Sequence, residues 1–154
     1  MRIKGIGSLS QDKKEKILAG LYILFFMYLC LMIWEVFIGP YRSYSGIRRY
    51  NLYPFKTIMA FLLNANKYNF EVIFINLIAN IITFIPLGFF ISVLFRRSCR
   101  VINVALYSML IIICIEIGQY ILNVGVLDID DVVLNTIGCV LGFMIYKAVN
   151  KFCF

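Results

Sequence analysis

Four long apolar runs separated by short polar breaks set the pattern of this chain. They fall at Ile17–Ile38, Val72–Phe95 and Val101–Leu122, and from Asp131 to about residue 149. Each is near the roughly 20 residues that an α-helix needs to cross the hydrocarbon of a bilayer. The pattern therefore predicts an all-α fold: a polytopic membrane helical bundle of four transmembrane spans, 17–38, 72–95, 101–122 and 131–149, in one membrane domain covering 1–154. Residues 1–16 are polar and basic and read as a cytoplasmic tail. Gly39–Phe70 is the one substantial connection. Within it, Thr57–Leu63 is too short to cross and reads as an interfacial or re-entrant segment. Pro54 disfavours helix at Tyr53 and can open one just after itself.

The polar positions inside the runs are few. Span one carries Glu35 beside Trp34; it is too long for a signal-peptide core and lacks a small-residue cleavage site, so it reads as a retained helix. Span two has no charge, but Asn76, Asn80 and Thr83 share one helical face, and Pro86 withholds a backbone donor from Ile82, which predicts a kink. Span three places Glu116, Gln119 and Asn123 on one face. The turn before span four holds Asp128, Asp130 and Asp131, and Asp131, Asn135, Gly138 and Gly142 then follow at helical spacing. Gly138 and Gly142 form a G-x-x-x-G pair that permits close helix approach. Threading the spans alternately through the bilayer brings Asn76, Asn80, Glu116, Gln119, Asp128, Asp131 and Asn135 to one depth.

Composition narrows the chemistry. With 62% hydrophobic and 15% charged residues the chain is far from the mix of a water-soluble domain. Histidine is absent, which removes Ser-His-Asp and Cys-His nucleophiles and the H-E-x-x-H zinc motif. The five cysteines are scattered without a C-x-x-C pair, which argues against a disulfide framework or a thiolate zinc site. A net charge of +7 would suit nucleic acid, but the basic residues border the apolar runs, where they meet lipid headgroups. No nucleic-acid partner is expected. Ten basic residues fall on the side of the termini and five on the other, so both termini are expected in the cytoplasm and the polar cluster at the outer face.

A carboxylate within hydrocarbon must stay protonated or find a cation, so Glu116 is the side chain hardest to explain as packing. It is the candidate general acid or base, and Asp128 with Asp131 could hold a hard divalent cation such as Mg²⁺ through oxygen ligands. Asn76, Asn80, Gln119 and Asn135 are candidate binding residues, with Arg48, Arg49 or Lys56 of the first outer loop as sources of positive charge. Structural roles compete at each point. Asp128 and Asp131 suit a helix start, the amides suit interhelical hydrogen bonding, and the glycines suit packing.

Several motifs together resemble the VanZ-like membrane proteins. They are N-L-x-P-F at Asn51–Phe55, N-x-x-x-F-x-P-x-G at Asn80, Phe84, Pro86 and Gly88, E-x-x-Q at Glu116 and Gln119, and D-I-D-D-V-x-x-N-T-x-G-x-x-x-G from Asp128 to Gly142. Many members have an arginine a few residues before the acidic turn, where this chain has Val124, Gly125, Val126 and Leu127. The resemblance implies a bacterial cell-envelope protein of the plasma membrane, in a family whose name-giving member confers resistance to the glycopeptide teicoplanin. The expected partners are membrane lipids and a cell-wall precursor or lipoglycopeptide held in the outer polar pocket, with self-association left open. The alternative is a membrane-embedded, carboxylate-dependent enzyme acting on a lipid-linked envelope substrate.

Overall fold

The computed structural model describes residues 10–40, 48–64, 72, 74–95 and 100–153. Residues 1–9 of the tail expected at 1–16, Tyr41 and Arg42, Lys67, and Arg96 and Arg97 of the basic break lie outside them, while residues 11–16 of that tail are helical. The fold is all-α, with four helices among the described residues long and apolar enough to cross a membrane. Helix α1 spans Gln11–Phe37 and helix α2 spans Lys56–Leu63. A π-helical turn, Phe74–Ala79, runs directly into α3, Asn80–Leu94. Helix α4 covers Val101–Leu122 and α5 covers Ile129–Cys153. Two short segments pair as a parallel ladder, β1 at Tyr50–Asn51 and β2 at Leu127–Asp128, with Tyr50 opposite Leu127 and Asn51 opposite Asp128.

The tightest junction is between α3 and α5, and glycine makes it. A Cβ at Gly88 would collide with the backbone carbonyl of Cys139, and one at Gly138 or Gly142 with the carbonyl of Ile81 or Ile85. The two helices thus meet backbone to backbone, because hydrocarbon lipid supplies no hydrophobic drive and close van der Waals contact must do that work. Cys139 Sγ donates across the seam to Phe84 O at 3.4 Å, and within α3 Ser92 Oγ donates to Gly88 O at 2.7 Å. Around it Phe84, Leu87, Ile91, Val104, Ile112 and Phe143 are buried. Helix α1 joins through Met32 and Val36, through Phe25 against Phe90, and through the Tyr28 hydroxyl, which donates to Thr83 O at 3.0 Å. Its other face, including Tyr22, Phe26 and Leu31, is exposed, as suits a surface solvated by lipid.

Helix α3 continues unbroken through Pro86. The irregularity of this span lies earlier, in the π-helical turn. Asparagine side chains bond back to the backbone there, with Asn76 Nδ2 donating to Val72 O at 2.7 Å and Asn80 Nδ2 to Asn76 O at 3.0 Å.

Candidate functional site

The C-terminal ends of α1 and α4 and the N-terminal ends of the second span and α5 enclose a cavity of about 470 Å³. Asn76, Asn80, Glu116, Gln119, Asp131 and Asn135 line it, six of the side chains expected to share one depth. Glu35 of α1 lines it as well. Sequence reasoning noted Glu35 only as a lone charge near the end of a span; its depth, equal to that of Glu116, was the available signal. Val36, Val72, Phe84 and Ile115 supply apolar wall.

Hydrogen bonds hold these groups in place. Asn80 Nδ2 donates to Asp131 Oδ1 at 2.7 Å, tying α3 to the first turn of α5, where the helix dipole favours a carboxylate. Gln119 Nε2 donates to Val36 O at 2.8 Å and so fastens α4 to the end of α1. Glu116, only 3% exposed, accepts the Asp128 backbone N–H at 3.5 Å. Asn135 is equally buried, on the seam side of α5.

Asp128 does not line the cavity. Its carboxylate accepts from the Thr57 hydroxyl and from Asn51 Nδ2 at 3.2 Å, and it also takes the Asp130 N–H at 2.9 Å. Asp130 is fully buried and faces the same loop. Its two oxygens receive the backbone N–H groups of Phe55, of Thr57 at 2.8 Å and of Ile58 at 3.1 Å. These are the unpaired donors at the start of α2, which has no side-chain cap of its own, so Asp130 caps that helix from across the structure. The cap also holds Phe55 at φ 63°, a left-handed conformation that a bulky residue adopts only under constraint. The N-L-x-P-F and D-I-D-D motifs are therefore the two halves of one latch, joined further by the ladder and by the Leu127 N–H donating to Arg49 O at 3.2 Å. Thr57→Val should remove one donor from the Asp128 carboxylate and lower stability by about 1–2 kcal/mol, measurable as an earlier detergent melt with the bundle intact.

The basic residues lie elsewhere. Arg48 donates to Ile121 O at 3.4 Å and stacks over Tyr120, 5.7 Å from the ring centre, where it closes the C-terminal end of α4. Arg49 enters the latch through its carbonyl, and Lys56 lies over Tyr53. None of the three lines the cavity. Asp128 and Asp131 serve different neighbours, and among the described residues no group of three or more acidic or cysteine side chains is placed to hold a metal ion.

The fold and this site define a small multi-pass membrane protein with a carboxylate- and amide-lined cavity at one end of its bundle. The chain belongs to the VanZ/LLP1 family, whose model matches residues 20–150. Over 125 residues it is 30% identical to Protein VanZ of Enterococcus faecium, an alignment covering 81% of this chain and 72% of that protein. No solved structure is significantly similar.

Proposed function

We propose that the cavity is a pocket for an amphiphile at the outer face of the bacterial plasma membrane, through which the protein lowers susceptibility to glycopeptides of the teicoplanin type. One observation carries this reading: four helices deliver eight polar side chains to one apolar-walled space, where single interhelical hydrogen bonds would have sufficed for packing. Family membership and the similarity to Protein VanZ support the resistance role. Both termini then lie in the cytoplasm, and a lipid, a lipid-linked cell-wall precursor or a lipophilic drug reaches the pocket from the outer leaflet.

The test is teicoplanin susceptibility of a Gram-positive host expressing the wild type, Glu116→Gln or Asp131→Asn, with membrane abundance matched by immunoblot. Wild-type protection with a loss of at least roughly fourfold in the variants is expected, the loss of one charge-assisted hydrogen bond being enough to produce it. Equal protection by all three would make the carboxylates packing elements and end this reading.

A further inference from the structure

The polar wall of the cavity is poor in donors. The amide nitrogens of Asn76, Asn80 and Gln119 already donate to Val72 O, to Asn76 O and Asp131, and to Val36 O. Beyond them the wall adds the three carboxylates of Glu35, Glu116 and Asp131, the amide of Asn135 and the hydroxyl of Thr83, so acceptor oxygens outnumber the remaining donors. Asn135 carries the inference. It lines the cavity, is only 3% exposed, and its Oδ1 is buried with no hydrogen-bond partner among the described residues. A buried carbonyl oxygen left unpaired is costly, and its presence on a ligand-sized cavity points to an occupant that brings the missing N–H. Among the described residues no lysine or arginine lines the cavity, so the occupant's charge meets carboxylates and amides.

We propose that the occupant is the primary ammonium head of an amphiphile. Its N–H groups donate to Asn135 Oδ1 and to the carboxylates of Asp131 and Glu116, while its hydrocarbon lies along Val36, Phe84 and Ile115. This deepens the assignment of the cavity as an amphiphile pocket and rests on it. Phosphate-only heads fit poorly beside three carboxylates, and a trimethylated ammonium has charge but no N–H to give. The same ammonium chemistry is offered by an aminophospholipid of the membrane and by a free lipophilic amine.

The test uses the purified full chain in phosphatidylglycerol nanodiscs, with bound amphiphile read by native mass spectrometry. Phosphatidylethanolamine is compared with phosphatidylcholine, and dodecylammonium with dodecyltrimethylammonium. The wild type is expected to retain the N–H-bearing member of at least one pair roughly tenfold better than its trimethylated partner, the discrimination of about one charge-assisted hydrogen bond. Asn135→Leu should reduce that ratio to near one, and Glu116→Gln, which keeps an oxygen for the Asp128 N–H, should reduce it if Asn135→Leu does not fold. Preference within the lipid pair identifies a membrane lipid, and preference within the dodecyl pair alone identifies a free amine. Equal retention of trimethylated or phosphatidylglycerol molecules overturns the ammonium assignment and leaves the pocket standing; saturable retention of no amphiphile overturns both.

Discussion

A Gly138→Leu chain is expected to fail to accumulate as a folded bundle. At Gly138, Gly142 and Gly88 the atoms in the way of a new Cβ are backbone carbonyls of the facing helix, not the ends of flexible side chains. No rotamer change relieves such a clash, so α3 and α5 would have to separate and give up the contact that orders Phe84, Cys139 and Phe143. Overpacking of an ordinary core costs about 1–3 kcal/mol. Here the loss of the whole seam should exceed that, on the order of 4 kcal/mol or more. Detergent size-exclusion with an immunoblot of membranes measures it: the variant should be depleted or aggregated. Gly20→Leu is the control, because nothing lies within 4 Å of a Cβ there. A monodisperse Gly138→Leu protein that melts with the wild type would show that the helices do not meet in this way.

Replacing Asp130 by Asn should release the first connecting segment while leaving the four long helices assembled. The carboxylate accepts three backbone N–H groups from a position with no solvent exposure. An amide of the same shape keeps one acceptor and turns an NH₂ group toward donors. With the amide oxygen kept toward Thr57 and Ile58, the bond from Phe55 is lost and its N–H faces another donor; a hydrogen bond to a charged acceptor contributes about 1.5–3 kcal/mol, so the change should cost on the order of 2–3 kcal/mol. Because Asp130 supplies the start of α2 with its cap, and Phe55 holds a left-handed conformation only there, that cost should fall on residues 52–63. Limited proteolysis reads this directly: faster cleavage within that segment, with α3 to α5 protected. Unchanged cleavage would mean that the ladder and Asp128 suffice to hold the loop.

Helical spacing made the cavity largely legible. Asn76 with Asn80, Glu116 with Gln119, and Asp131 with Asn135 each share a helix face at one depth, and all six line the same space. Asp128 was legible as chemistry but not as geometry. One residue outside α5, it follows the loop rather than the helix face, and its partners Asn51 and Thr57 lie 77 and 71 positions away. The cap by Asp130 was hidden for the same reason, since no local pattern shows that a carboxylate serves the start of a helix 72 to 75 residues earlier. For Arg48 the sequence shows the sign of the charge and not its neighbours, so it suggests a counter-charge for the carboxylates. The end of α4, where Asn123 turns left-handed and terminal carbonyls need donors, drew it away from the carboxylates.

Three of the fastenings depend on the last helix and the turn that precedes it. Asp128, Asp130 and Asp131, together with Gly138 and Gly142, supply the loop latch, the tie to Asn80 and the backbone seam. During synthesis, the segment holding Asn51 and Thr57 is therefore made long before its anchor exists. It must wait undocked while two further helices are threaded through the bilayer. Insertion of α5 then closes the latch, the tie and the seam in one step, so nascent chains halted short of that helix have an unfinished loop for quality-control proteases to find.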